Sequence, residues 1–251
     1  MIYLQRYKDT GRIGREEQVI LHHCIIEQLP YMYFSDLNDI DFKGGITLVA
    51  GSVEMISKVL NELSVELPTP DYYPKCLNKY LHRDIETTTV KAVRERVSKG
   101  EPLFAKPKLH WKKFTGKVFS RTNISELSSI ESSESVLISS PVHFTDEFRV
   151  YVSNWELVAI CQYTGEDDKE IDHCVVKEAI QLMKKNSFSS STFAFDWGTL
   201  QGGELALVET NHCFAIGCYQ GITPSEYFNF LASGWSQLTK RNHEKKNNSP
   251  H

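Results

Sequence analysis

The sequence predicts an α+β protein with a small α/β lobe over residues 1–85, a larger α+β core over residues 86–239, and a polar tail over residues 240–251. Three observations carry this prediction. Residues 1–70 alternate strand-like and helix-like patterns in the order β-α-β-β-α. Pro68, Pro70 and Pro74 then break every regular pattern. Beyond them come apolar/polar alternations of strand period, joined by tight turns, with one helical stripe among them.

In the first lobe, Ile2–Leu4 reads as a short strand, and Glu16–Gln28 carries Val19, Ile20, His23 and Ile26 at helical spacing. Tyr31–Phe34 and Ile46–Ala50 are short apolar runs flanked by turn residues. Val53, Ile56, Val59, Leu60 and Leu63 mark a second helix. Residues Leu77–Val97 read as mostly helical. Leu103–Ala105 and Val136–Ile138 are strand candidates, with a Ser- and Glu-rich connection over residues 123–135 between them. Phe148, Val150 and Val152 alternate with Glu147, Arg149 and Tyr151, as in a half-buried strand. Asn154-Trp155 turns into a further strand, Leu157–Tyr163. Ile171, Val175, Ala179 and Met183 form one helical stripe. Phe193–Trp197, a Gln201-Gly202-Gly203 turn and Leu205–Asn211 make the last hairpin, and the polar run from Lys240 predicts a disordered tail.

The net charge is −4 and the pI about 6.1, which weighs against a general nucleic-acid binder. No apolar run approaches the ~18–20 residues that span a bilayer, and the first residues lack a signal-peptide core, so no membrane partner and a cytoplasmic location are expected. The six cysteines include no Cys-x-x-Cys pair, which fits reduced thiols better than zinc.

Three constellations carry chemistry. In Leu205-Ala-Leu-Val-Glu-Thr-Asn211, alternation puts Glu209 and Asn211 on one face of a strand, with Cα atoms roughly 7 Å apart. A carboxylate and an amide oxygen so placed suit a hard cation such as Mg2+, and Asp196 on the paired strand offers a third oxygen. The bland alternative is an edge strand whose polar ends meet solvent. The second constellation is Lys106–Arg121, with Lys106, Lys108, Lys112, Lys113, Lys117 and Arg121 and no acidic residue. Its Thr115-Gly116-Lys117 turn could fold over a polyphosphate. It is not a Walker A loop, and a solvated face, or a nucleic-acid patch with Trp111 and Phe114, explains it as well. The third is Arg149, suited to bidentate contact with phosphate or carboxylate, or to an ion pair with Glu147 or a cross-strand acid. His143 and His212 read as structural, and no Ser/His/Asp or Cys/His nucleophile set stands out.

The order of the segments adds a resemblance over roughly residues 100–222. A strand runs into Lys-Pro and a Phe-Thr-Gly turn; a second strand ends in Ser-Ser-Pro-Val; then follow Glu-Phe-Arg-Val-Tyr-Val, Phe-Asp-Trp-Gly and Leu-Val-Glu-Thr-Asn. This resembles the ATP-grasp superfamily, and within it the phage and bacterial clade named for one arginine and two lysines. The resemblance implies an ATP-grasp fold, two α+β lobes gripping ATP, preceded by a small α/β lobe. It implies Lys106 and Lys113 on the phosphates, with Lys108 and Lys112 competing for the second place, and Gly116 in the covering turn. It implies Arg149 near the γ-phosphate, with Arg83 as the alternative arginine. Ser140, Pro141 and Val142 would meet adenine, and Asp196, Glu209 and Asn211 would hold Mg2+. The implied activity is ATP-dependent ligation of a small-molecule or peptide carboxylate to an amine through an acyl phosphate. A phosphotransferase, or a nucleotide- or nucleic-acid-binding module without turnover, is the alternative.

Overall fold

The computed structural model describes residues 1–109, 113–166, 169–214 and 216–247, the last seven by backbone alone. The first lobe holds β1 (Ile2–Gln5), α1 (Arg15–Ile26), β2 (Tyr31–Phe34), β3 (Leu48–Ala50) and α2 (Val53–Glu62). Its three strands are parallel, in the order β2-β1-β3. All four β1 residues are buried, as a parallel strand covered on both faces requires. α2 begins where the Ser52 hydroxyl accepts from the Met55 amide at 3.2 Å, and it buries Ile56, Val59 and Leu60.

A second sheet contains β4 (Glu86–Thr89), β5 (Leu103–Pro107), β6 (Lys117–Phe119) and β7 (Ser135–Ser139), in the order β4-β7-β5-β6 and antiparallel throughout. Helix α3 (Val90–Ser98) closes over it, packing Val90, Val93 and Val97 onto Leu103, Ala105, Phe119, Val136 and Ile138.

The third sheet has the order β11-β10-β8-β9, built from β8 (Phe144–Ser153), β9 (Glu156–Thr164), β10 (Phe193–Leu200) and β11 (Leu205–His212). Asn154 and Trp155 join β8 to β9 with φ of 52° and 68°, the two left-handed residues that match the twist of a tight hairpin. Helix α4 (His173–Lys185) covers one face, where Val176, Ala179, Ile180 and Met183 meet Phe148, Val150, Val152, Phe193, Phe195 and Trp197. Each such fully buried side chain contributes about 1.5–3 kcal/mol of burial free energy, enough together to fix the helix. On the other face Tyr151 and Ala194 enter a continuous apolar cluster with α5 (Pro224–Asn247) and the whole first lobe.

The structure departs from the sequence reading in two places. Residues 77–97 are not mostly helical: a 3-10 turn over Lys75–Tyr80 precedes β4 and α3. The β-branched Thr87–Thr89 run pairs with β7, and Thr89 also caps α3, accepting from Ala92 N at 3.3 Å. Leu77, Tyr80 and Leu81 bury against α4 and the third sheet. Helix α5 continues through Asn247, beyond the start of the expected tail at Lys240. The run Lys-Arg-Asn-His-Glu-Lys-Lys contains enough good helix formers to extend a helix already anchored upstream. Residues 248–251 lie outside the described residues, as does part of the acidic stretch Glu166–Glu170.

Candidate active site

Three adjacent strands bring the chemistry together. Asp196 on β10 is paired with Arg149 on β8 and with Glu209 on β11. Asn211 follows Glu209 on the same face, opposite Ala194. The ladder shifts register just beyond this row: Asp196 faces Glu209 but Trp197 faces Leu207, which leaves Val208 as a bulge. Arg83 holds that irregularity, donating to the carbonyls of Leu81, Leu207 and Val208, each at 2.9 Å. The bulge therefore directs Glu209 across the cleft toward the second sheet.

The partner from that sheet is Lys106 on β5, buried to 6% exposure. Its ammonium donates to Glu209 Oε2 and stands 3.2 Å from the centroid of the Tyr72 ring. Asn211 donates its amide N–H to Glu209 Oε1 at 2.9 Å, leaving its own carbonyl oxygen as an acceptor. Arg149 grips Asp196 with two parallel hydrogen bonds, at 2.8 and 2.7 Å. The arginine lies over Tyr219, 4.9 Å from its centroid, and Tyr219 stacks on Tyr163 at 4.7 Å.

Burial pushes the Asp196 carboxyl up to about 6, against the opposing pull of Arg149. Burial pushes Glu209 the same way, but the charge of Lys106, with the hydrogen bonds from Lys106 and Asn211, outweighs it and holds Glu209 below the usual carboxylate range. Burial draws the Lys106 ammonium down, and Glu209 opposes the shift. Burial, reinforced by Glu209, raises the Tyr73 phenol to about 12. From about pH 4 to about 6 the native state holds a proton on Asp196 that the unfolded chain has released, so this group's contribution to stability falls as pH rises through that window. Asp196→Asn removes the titration. Relative to wild type the variant is expected to gain stability steadily between pH 4 and pH 6, as measured by urea unfolding; a flat difference would refute the assignment.

Of the residues singled out in the sequence, Lys106, Arg149, Asp196, Glu209 and Asn211 converge, and Arg83 joins them through the backbone of β11. Arg149 also realises the alternative of a cross-strand ion pair, with Asp196 rather than Glu147. Lys113 is not brought to this cluster; it pairs with the buried Glu134 at 2.6 Å, beside the start of β7. Lys108 donates to Thr87 Oγ1 at 3.2 Å, and Lys112 lies outside the described residues. A Cβ on Gly116 would stand 2.9 Å from Lys106 Cβ and 3.2 Å from the Phe104 ring, so only glycine lets this turn lie against the lysine. Ser140, Pro141 and Val142 form the link between β7 and β8, joining the two sheets that face the cleft. His212 is buried between Phe188 and Phe214, a structural position. Sequence reasoning missed Tyr72, Tyr73, Tyr163 and Tyr219, the aromatic walls of the site.

The donor chemistry fits Mg2+. Asp196, Glu209 and Asn211 offer oxygens alone, which suit a hard cation. Among the described residues no three His, Cys, Asp or Glu side chains converge, so a cation here would complete its shell with phosphate and water. Among the described residues no disulfide joins any of the six cysteines, and no helix is long and apolar enough to cross a membrane.

Solved structures share this architecture. The D-cycloserine synthetase DcsG aligns with a TM-score of 0.58 at 11% identity, over 97% of this chain and 99% of that one. The macrocyclase MdnC from Microcystis aeruginosa MRC, bound with its precursor peptide MdnA, aligns with a TM-score of 0.53 at 9% identity, over 92% of this chain and 98% of that one. At such identities the likeness is one of fold. No curated protein sequence matches the chain. The model of the ATP-grasp domain, family 2 of the clade named for one arginine and two lysines, matches residues 80–230, a span that holds Arg83, the Lys106–Glu209 bridge and the Arg149–Asp196 pair, and the chain belongs to that family.

Proposed function

We propose that the protein is an ATP-dependent ligase that joins a carboxylate to an amine through an acyl phosphate, with Mg2+ held by Glu209 and Asn211 and flanked by Asp196. The observation that carries this reading is the buried Lys106–Glu209 pair bridging the two sheets, next to the Arg149–Asp196 pair. Phosphate-binding cations and metal-binding carboxylates stand side by side in it, each neutralising the other. MgATP brings the opposite arrangement of charge. Lys106 would turn from Glu209 to a phosphate oxygen, and Glu209 would turn to the metal. Mg2+ held by Glu209 and Asn211 would supply charge neutralisation for the phosphates in the transition state.

Arg149, held by Asp196 and by the face of Tyr219, is placed to orient the transferring phosphoryl group. The backbone of Ser140–Val142 would meet adenine, and the Gly116 turn with Lys108 and Lys113 would cover the phosphates. The γ-phosphoryl group passes to the substrate carboxylate, giving ADP and an acyl phosphate. The neutral amine attacks that carbonyl, the C–N bond forms, and phosphate leaves carrying the amine's proton. No step needs a nucleophile from the protein. The residues position reactants and stabilise charge.

A thermal-shift titration with ATP and Mg2+ tests the first half. At a hundredfold excess over Kd, binding adds ~2.7 kcal/mol, and for a chain of this size that is a rise of about 5–10 °C in Tm. No rise at millimolar ATP would refute nucleotide binding. Phosphate release that requires both an added acid and an added amine tests the second half. Release or transfer with the acid alone would point to a phosphotransferase, and binding without turnover in any substrate pool to a module that only holds nucleotide.

A further inference from the structure

A cavity of about 1020 Å3 lies beside the cleft, between the first lobe and the core. It is bounded by the C-terminal end of β3, the N-terminal turns of α1 and α2, the segment after β11, and α5. Ligands of open α/β sheets gather at such carboxyl ends of strands. Two features connect it to the candidate active site. A Cβ on Gly217, in its wall, would stand 3.5 Å from Glu16 Oε1 and 3.7 Å from Arg149 Nη1. Leu109, from the segment that follows Lys106 and Lys108, lines it from the other side.

The charged residues lining the cavity are Glu16, Glu17, Glu54 and Lys58. Lys58 pairs with Glu54 at 2.7 Å, which leaves Glu16 and Glu17 as the net charge. Glu16 Oε1 accepts from the Cys218 amide at 3.4 Å. Glu17 is 3% exposed, and its Oε2 has no hydrogen-bond partner among the described residues. Trp235, also lining the cavity and 4% exposed, has an indole N–H without a partner among them. One oxygen of a carboxylate that the Glu17 and Gly14 amides also hold, and one indole N–H, border the same space without a hydrogen-bond partner among the described residues. Native proteins rarely leave such groups unmet unless something else meets them. Ile20, Leu48, Ile56 and Leu231 supply apolar walls.

We propose that this cavity takes the amine co-substrate as a primary ammonium on an apolar body, with Glu17 accepting from the ammonium beside Glu16 and Trp235 donating to a carbonyl oxygen of the same molecule. The assignment of this ligand as co-substrate rests on the ligase reading. Gly217, in the cavity wall, stands close to both Glu16 and Arg149, so the amine is held near where the acyl phosphate would form; there the ammonium gives one proton to Glu17, the neutral amine attacks the carbonyl, and its second proton leaves with phosphate.

Glu17 has a structural duty as well. It is the third residue of α1, its carboxylate lies over Gly14 at the helix cap, and glutamine serves that position equally well. Glu17→Gln therefore removes the charge and keeps the cap. Gly14→Ala acts from the other side: the backbone there, at φ −71°, accepts any residue, but the new Cβ would overlap Glu17 Oε2 and push the carboxylate aside.

The probes are phenylalaninamide at pH 6.5 and 3-phenylpropanamide, which keeps the ring and the carbonyl and lacks the ammonium. Calorimetry, without nucleotide and again with ATP and Mg2+, is expected to show wild type preferring phenylalaninamide by at least tenfold in Kd. Glu17→Gln is expected to erase the preference with Tm unchanged, and Gly14→Ala to reduce it while leaving affinity for the neutral amide alone. Equal binding of the two probes, no binding of either, or a preference that survives in Glu17→Gln would overturn the assignment. The ATP titration separates this outcome from the ligase reading. An ATP shift without ammonium preference sinks the cavity assignment only. Ammonium preference without an ATP shift sinks the ligase reading and leaves a cation-binding cavity.

Discussion

Glu209→Ala is expected to lower MgATP-dependent turnover by at least a hundredfold and to lower Tm as well. The first effect follows from the proposed metal site. Glu209 would be the carboxylate at its centre; Lys106 holds one of its oxygens and Asn211 the other. Alanine leaves only an amide and the Arg149-bound Asp196 for the cation. The second effect follows from the ion pair. Lys106 keeps only 8% of its side chain exposed, so truncating its partner strands an ammonium between the Tyr72 ring and Arg83. Removing one member of a buried pair costs about 3–5 kcal/mol, and the lower end applies because Glu209 itself retains 26% exposure. For a chain of this length ~3 kcal/mol corresponds to about 6–12 °C in Tm. Glu209→Gln, which can still accept from Lys106, is expected to lose turnover with a much smaller drop in Tm. Turnover within tenfold of wild type in either variant would remove Glu209 from the metal site.

Lys106→Met is the second large effect. Methionine keeps the apolar stem against Tyr72 and removes the charge, so Glu209 is left without its cation. A loss of about 3 kcal/mol is expected, again with at least a tenfold loss in ATP affinity by calorimetry. Combining Lys106→Met with Glu209→Gln removes both charges. The double variant is expected to recover most of the lost stability and none of the ATP binding. This cycle separates a structural bridge from a functional one. Unchanged ATP affinity in Lys106→Met would place the phosphates elsewhere.

Much of this site is legible in the sequence because strand alternation is a local code. Glu209 and Asn211 share a face because they are two residues apart on a strand, and Arg149 falls opposite the apolar Phe148, Val150 and Val152 for the same reason. What alternation cannot supply is the pairing between strands. The bidentate Arg149–Asp196 contact depends on register between β8 and β10, and Arg83 finds the carbonyls of residues 207 and 208 only because a bulge frees them. Tyr72 and Tyr73 sit in a proline-rich segment with no periodicity, so nothing local announces that they wall the site. The basic run is ambiguous in a different way. Its lysines look equivalent along the chain, and only packing shows that Lys106 is buried and that Lys113 pairs with Glu134. The cavity at Glu17 and Trp235 joins residues more than two hundred positions apart, beyond any short-range reading.

The separation of the apolar clusters has a consequence for motion. One cluster runs from the first lobe through α5 into the third sheet, whereas the sheet that carries Lys106 closes its own core over α3. The second sheet is joined to the third by the Ser140–Val142 link and the Lys106–Glu209 pair, so it is expected to open as a unit about that link when the pair is broken. Amide hydrogens of β4–β7 are then expected to exchange together as one cooperative block, and added ATP with Mg2+ to change the opening rate of that block without loosening the rest.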